Sequence, residues 1–206
     1  MYIPKHFREE DPERLDALMR THAFGLLVTH DRGVPFATHL PLMFDRGRGA
    51  KGLLTGHMAR SNPQWRHFQK TEPVLAVLQG PHAYVSPAWY ASPGVPTWNY
   101  AVVHIYGTPT VVEDPAALRS IVERLTSVHE SRFPQPWQPD LTDEKTAPML
   151  RMIVGFEIEV TEVQGKFKLS QNRSVEDQRR VIGRLGEKES SLDAAVSGLM
   201  AANLRL

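Results

Sequence analysis

From Phe24 to His57 the chain alternates short apolar stretches with tight turn signals, a texture that admits a β-meander and little else. Phe24–His30 reads as a strand, Asp31-Arg32-Gly33 as a turn, and Val34–Phe44 as the partner strand. The Gly-rich, basic stretch Asp45–Lys51 predicts a second turn, before a short strand over Gly52–His57. Further on, the continuous apolar run Pro73–Gln79 predicts a strand buried on both faces, and Tyr84-Val85-Ser86 another short one. Trp98–Val112 predicts a long strand with Ala101, Val103 and Ile105 on one face and Val102, His104 and Tyr106 on the other. The last strand, or strand pair, runs from Met152 to Leu169, with a reversal expected near Gln164-Gly165.

Helices punctuate this pattern. Asp11 caps a helix to His22 with Pro12 at its first position and Leu15, Leu18 and Met19 as its apolar stripe. Asn62-Pro63 opens a short helix that Glu72-Pro73 ends. Asp114-Pro115 opens another, with Leu118, Ile121, Val122, Leu125 and Val128 at helical spacing. Ser174-Val175-Glu176-Asp177 resembles a capping box, and Leu192, Ala195, Val196, Leu199 and Met200 form a final amphipathic stripe. The prediction is a mainly β, α+β protein: a barrel-like core with peripheral helices over residues 1–173, and a helical C-terminal extension over 174–206. That extension packs back on the barrel or on a second subunit.

The 206 residues suit one core of useful size. Lys plus Arg number 24 against 23 Asp plus Glu, a net charge of +1, which is low for a protein whose affinity comes from neutralising phosphates. Cysteine is absent, which excludes a disulfide scaffold, a thiol nucleophile and any Cys-ligated zinc. No apolar h-region marks Met1 to Asp11, and no stretch is long enough to span a bilayer, so a cytoplasmic protein with no membrane partner is expected. The nine histidines form no HExxH and no convincing metal spacing, so no metal is expected. There is no GxSxG and no P-loop, and the single GxGxxG match, Gly47–Gly52, runs into a strand rather than a helix.

One segment carries a positive signal. In Thr55-Gly56-His57-Met58-Ala59-Arg60-Ser61-Asn62 a strand ends, Gly56 permits a tight turn, and a helix begins. Helix N-terminal N–H groups, the Arg60 guanidinium and the hydroxyls of Thr55 and Ser61 suit a phosphate; alternatively Asn62 merely caps and Arg60 is solvated. Tyr84, Trp89, Tyr90, Trp98, Tyr100 and Tyr106 suit a planar ring, or else core or interface packing. Lys166 and Lys168 share one strand face and suit an anion, or else protect an edge strand, and Gln171 and Asn172 begin the turn that follows.

Several blocks together carry a resemblance: Met1–Pro4 with Phe7, Gly56–Arg60 leading to Asn62–Trp65, Gly80–Pro87 with Trp89-Tyr90, Pro96–Tyr100, and Gly165–Asn172. In this order the chain resembles the PaiB family, FMN-binding proteins named as negative transcriptional regulators. The resemblance implies a split β-barrel flavoprotein related to pyridoxamine-phosphate-oxidase-like proteins, a homodimer with FMN near the subunit interface. It implies that Thr38, His39, Leu40 and Pro41 supply backbone hydrogen bonds beneath the isoalloxazine. Thr55, Arg60 and Ser61 would contact the phosphate, Gly56 and His57 would shape the turn, and Gln79 would reach the ring's polar edge. Asn62, Trp98, Asn99, Lys166, Lys168, Gln171 and Asn172 would complete the pocket, the lysine segment from either chain. DNA is a partner by resemblance only, since Lys166–Arg205 holds eight basic against five acidic residues and no helix-turn-helix is evident. An FMN-dependent oxidoreductase, or a haem-binding split barrel using His57, His82 or His104, are the alternatives; no catalytic residue is singled out.

Overall fold

A computed structural model describes residues 1–70, 72–141 and 146–204. In chain order the elements are β1 (Arg8–Glu9), α1 (Pro12–Thr21), β2 (Phe24–Asp31), β3 (Val34–Asp45), β4 (Leu53–Ala59) and β5 (Val74–Val85). They continue with β6 (Thr97–Val112), α2 (Pro115–Glu130), β7 (Ile153–Lys168), α3 (Val175–Gly186) and α4 (Ser191–Leu204). Short 3-10 helices occupy Lys5–Phe7, Pro63–Lys70, Pro87–Trp89 and Ala147–Met152. The strands hydrogen-bond in the order β1-β7-β4-β3-β2-β5-β6, and a further β6–β7 pairing closes the ring into the split β-barrel of an α+β protein. The chain forms two compact units, Met1–Thr21 with Gln79–Val103 and Gln164–Leu206, and His22–Leu78 with His104–Val163.

In the His22–Leu78 and His104–Val163 unit, β2 and β3 make the predicted hairpin. Its two-residue loop places Arg32 at φ 49° and Gly33 at φ 82°, the left-handed geometry that matches strand twist. Alternate residues of the strands, among them Leu27, Leu42, Leu54, Phe156 and Ile158, fill the interior. Here the structure corrects the reading of Gly56. It is no turn: β4 runs through it to Ala59, paired with Leu42 on one side and Phe156 on the other. A Cβ at Gly56 would lie 2.6 Å from the Phe156 ring, so the glycine makes room for packing. Outside the sheet, α2 buries Leu118, Ile121 and Leu125, and Leu118 and Ile121 cover Gly155 of β7.

Two further strands differ from expectation. β5 is one strand from Val74 to Val85, absorbing the separate Tyr84–Ser86 strand, and its burial alternates instead of being complete on both faces. That alternation slips by one residue at Gly80-Pro81, where both neighbours are buried, as a proline inside a strand tolerates best at an irregular step. β7 does not reverse near Gln164-Gly165. In the other unit its end pairs with β1 at Arg8↔Lys166 and Glu9↔Gly165, and Gly165 is small because a Cβ would sit 2.4 Å from Leu15 and 2.7 Å from the Glu9 carbonyl.

In the same unit, Ser174 caps α3 as predicted, accepting from the Asp177 N–H at 3.1 Å. The Asp177 carboxylate then reaches back across the chain. It accepts the Ala91 N–H at 2.6 Å and the Ser92 hydroxyl at 2.6 Å, which pins the loop after Tyr90. α3 packs on α4 through Val181, Leu185, Val196 and Met200, and the Ser197 hydroxyl donates to the Ile182 carbonyl at 2.8 Å. Among the described residues no helix is long and apolar enough to cross a membrane.

Candidate functional site

At the end of β4 the structure gathers the first group of predicted residues. β3 pairs with β4 only from Leu42 onward; from Val34 to Pro41 its register is with β2 alone. The stretch Thr38–Pro41 therefore lies on a strand edge, whose outward N–H and C=O groups can meet a ligand. Leu40 is buried and His39 exposed on opposite faces.

After Ala59 the chain turns sharply. The Arg60 N–H donates to the Met152 carbonyl at 2.8 Å, and its guanidinium donates through Nε to the Arg151 carbonyl at 2.7 Å and through Nη2 to the Ile153 carbonyl at 3.0 Å. These bonds fix the fork of an otherwise exposed cation, with the exposed Ser61 next to it. Asn62 Nδ2 donates to Thr38 Oγ1 at 3.0 Å, while Asn62 Oδ1 accepts the Gln64 N–H at 3.0 Å. Thr38, Arg60, Ser61 and Asn62 thus form one corner.

The predicted cap is present, but it opens a 3-10 helix, and the backbone cradle expected there is not what the corner offers. The N–H groups of Arg60, Asn62 and Gln64 are all engaged within the chain. An anion at this corner would meet the Arg60 guanidinium and the Ser61 hydroxyl instead. Gln64, which the sequence reading passed over, holds the helix down. Its fully buried amide donates to the carbonyls of Leu27 at 2.9 Å and Phe36 at 3.2 Å and lies 3.2 Å from Thr29 Oγ1. Its position two residues after the cap, among polar neighbours, carries no sequence signal of burial.

Thr55 and His57 lie on the face of β4 opposite Gly56. Thr55 is wholly buried, and neither its Oγ1 nor His57 Nδ1 has a hydrogen-bond partner among the described residues. Burial lowers the His57 pKa, and it lowers those of His22 and His104 as well. In each case the unfolded chain takes up the proton first as pH falls. Stability is therefore full above the unfolded value near 6.5 and declines as pH drops below it toward the folded values. Denaturation midpoints measured from pH 7.5 to 5.5 should fall, and His57→Leu should flatten part of that slope. An unchanged slope in the variant would show that His57 is not held neutral by burial.

In the unit that contains Gln79–Val103, a second group comes together. Gln79 Nε2 and His82 Nδ1 lie 3.3 Å apart, and the half-exposed Trp98 ring is flanked by His82 and Tyr84, each with its centroid 6.0 Å away. Lys168 Nζ donates to the Trp98 carbonyl at 2.6 Å and to Thr97 Oγ1 at 2.5 Å. Burial, and then the charge of Lys166, lower the Lys168 pKa. Lys166 itself donates to the Tyr2 carbonyl at 3.0 Å and lies over the Tyr100 ring, a cation–π contact at 5.3 Å. Gln79, Trp98, Lys166 and Lys168 thus share an aromatic, cationic neighbourhood, to which the sequence reading had not assigned Tyr2.

Asn99 and Gln171 stand apart from it. Asn99 is fully buried and donates to Ser170 Oγ at 2.9 Å, tying β6 to the turn after β7. The Gln171 amide accepts the Leu169 N–H at 2.7 Å and donates to the Phe167 carbonyl at 2.6 Å, closing that same turn. Asn172 is exposed. Among the described residues no group of three or more His, Asp or Glu side chains is placed to hold a metal ion.

Comparison with known proteins adds to this geometry. The family described as "Putative FMN-binding domain" matches residues 1–162. The protease synthase and sporulation protein PAI 2 of Bacillus subtilis is 39% identical over 209 residues, covering 100% of this chain and 99% of that protein. An uncharacterized protein of Saccharomyces cerevisiae, YKL070W, is 30% identical over 158 residues, covering 66% of this chain and 94% of its own. Among solved structures, the FAD and haem binding protein of Mycobacterium smegmatis superposes with a TM-score of 0.62 at 17% identity, covering 84% of this chain and 78% of that one. The flavocytochrome Anf3 of Azotobacter vinelandii gives a TM-score of 0.61 at 13% identity, covering 86% and 78%. At these identities the structural likeness speaks to fold alone.

Proposed function

This chain belongs to the PaiB-like family of FMN-binding-domain proteins, and on that premise we propose that it binds FMN as a homodimer in the cytoplasm. The observation that carries the reading is the corner at the end of β4: a guanidinium oriented by two carbonyls beside an exposed serine hydroxyl. The donor set fits the cofactor. Arg60 and Ser61 suit its phosphate, the edge of β3 at Thr38–Pro41 suits the hydrogen-bonding rim of its ring, and the unpartnered Thr55 hydroxyl marks a polar group awaiting a partner. Asn62 braces that corner through Thr38 and Gln64, while Gly56 and His57 lie within β4 before it. Gln79, Trp98, Lys166 and Lys168 form a second set of flavin contacts, from either subunit, with Asn172 exposed nearby in sequence. Asn99 and Gln171 serve as braces of that second set, since their amides bond within the chain. Bound FMN would supply one- and two-electron redox chemistry; the chain's own residues bind and orient it.

The test is a fluorescence titration of ligand-stripped protein with FMN and with riboflavin. One FMN per chain, bound more tightly than riboflavin, is the expected result, and equal affinities would remove the phosphate corner from the reading.

A partly exposed apolar face supports the dimer. The registers Phe24↔Pro41, Leu26↔Val77 and Val28↔Leu75 put these apolar side chains on the outer face of β3, β2 and β5, each at least partly exposed and Phe24 at 66%. Sedimentation should report twice the chain mass at micromolar concentration, and a Phe24→Asp, Val28→Asp variant should sediment as a folded monomer. A wild-type monomer, or a variant that remains dimeric, would place the interface elsewhere.

A role as negative transcriptional regulator rests on the family resemblance, in line with the Bacillus subtilis relative, whose name ties it to protease synthesis and sporulation. On α3, Arg180 pairs with Glu176 at 2.8 Å and Arg184 with Glu187 at 3.2 Å, while Arg179 is exposed, so direct DNA contact by this helix rests on the resemblance alone.

A further inference from the structure

The molecule has a cavity that none of the flavin residues touch. It lies between the second half of α2 and the proline-rich segment after it, encloses about 410 Å³, and falls within the range of small-molecule sites. Its lining includes Trp137, Glu123 and Glu130, with the hydroxyl-bearing Thr126 and Ser127 between them, and among the described residues it contains no lysine or arginine. Two prolines, Pro136 and Pro139, stiffen the wall that carries the indole.

The electrostatics of this wall are one-sided. Glu123 and Glu130 stand seven residues apart on α2, so they share a helix face about two turns, or roughly 10 Å, apart. Glu130 ends the helix, where the negative end of the helix dipole adds to its charge. One of its oxygens accepts the backbone N–H of Trp137 at 2.9 Å, which ties the loop that carries the indole to the helix end. The cation next in sequence, Arg132, is turned to His129: Nε donates to that residue's carbonyl at 2.8 Å and Nη2 lies 3.0 Å from its Nδ1. Trp137 is 62% exposed, far more than packing alone would leave an indole.

We propose that the cavity formed by α2 and the Trp137 loop binds an organic ammonium ion, with the indole face and the Glu123 and Glu130 carboxylates as its recognition elements. An aromatic face beside carboxylates, without a competing basic side chain, is the arrangement that selects an alkylated or primary ammonium over a neutral or anionic molecule. Nothing in this proposal depends on flavin binding.

The probes are butylammonium, tetramethylammonium and butan-1-ol, titrated into the full-length protein while the indole N–H resonances are followed by NMR. Trp137→Phe identifies the Trp137 signal. Both cations should shift it saturably, and the alcohol of the same size should not. Glu123→Gln should weaken the cations at least severalfold, and Trp137→Ala should weaken them by tenfold or more, with thermal transitions unchanged because both residues sit at the surface. An N-acetyl-lysine amide, compared with butylammonium, separates two sources of the same chemistry. Tighter binding of the lysine compound indicates a partner protein's side chain, and tighter binding of the free amine indicates a small metabolite. No saturable shift, equal shifts by butan-1-ol, or full affinity in both variants would each overturn the proposal.

Discussion

Replacing Arg60 by alanine is expected to weaken FMN binding by about tenfold or more while leaving riboflavin binding nearly unchanged. The reasoning starts from the fork itself. Nε and Nη2 are held by the carbonyls of Arg151 and Ile153, so the guanidinium is already oriented before any ligand arrives. A phosphate then gains a charge-assisted hydrogen bond without the usual cost of ordering a long side chain. Hydrogen bonds to charged groups contribute about 1.5–3 kcal/mol where water is excluded. Arg60 is exposed in the isolated chain, so the lower end, about 1.5 kcal/mol and slightly more than tenfold, is the firmer figure. Riboflavin lacks the phosphate and supplies the control. A parallel loss for both ligands would mean that Arg60 acts by bracing the turn against the 3-10 helix Ala147–Met152 and the start of β7, and not by touching phosphate.

The second large effect concerns barrel closure and takes the form of one substitution with opposite signs at two sites. At Gly107 in β6, a Cβ would stand 2.3 Å from the Glu159 carbonyl oxygen and 2.6 Å from the Ile158 side chain. The obstructing atom is backbone, so the approach of β6 to β7 cannot be relieved by a rotamer change. Gly107→Ala should cost about 2–4 kcal/mol, toward the upper end of ordinary point-mutant effects. At Gly183 in α3 nothing lies within 4 Å of the added carbon and the site is exposed. There the same change should stabilise by about 0.5–1 kcal/mol, through helix propensity and the lowered entropy of the unfolded chain. Chemical denaturation of the two variants decides the matter. A Gly107→Ala protein as stable as wild type would mean that β6 and β7 separate readily at this point.

Much of the fold was readable because its signals are local. Asp11, Asp114 and Ser174 each accept a backbone N–H at a helix start, as their spacing from the following apolar stripe implies. The β2–β3 hairpin follows from the Asp31–Gly33 turn, and the two faces of β6 from the alternation of Ala101 through Tyr106. The readings that failed are those in which a residue type has more than one cause. Gly56 and Gly165 look like turn residues in sequence, yet each is small because another side chain or strand crowds it. The apolar run Val74–Leu78 looks buried on both sides, but Leu75 and Val77 are only half-buried, on the face opposite Val74, Ala76 and Leu78.

The candidate site divides along the same line. Residue type alone made Arg60 and Ser61 suitable for an anion and marked Lys166 and Lys168 as neighbouring cations on one strand face, since charge and hydroxyl chemistry travel with the side chain. Whether a polar group is available is a different matter, because hydrogen-bond partners come from residues far away in the chain. The N–H of Arg60 goes to Met152, and the amide of Asn99 to Ser170. Gln64, unremarkable by sequence, became a buried hub because Leu27, Thr29 and Phe36 converge on it from β2 and β3. By itself the sequence determined most of the elements, the caps at Asp11, Asp114 and Ser174 and the inventory of charged and aromatic groups, all properties of nearest neighbours along the chain. The tertiary structure alone decided which glycines are packing gaps, which polar groups remain available and where Trp137 meets Glu130, because each depends on atoms brought together from distant or looped segments.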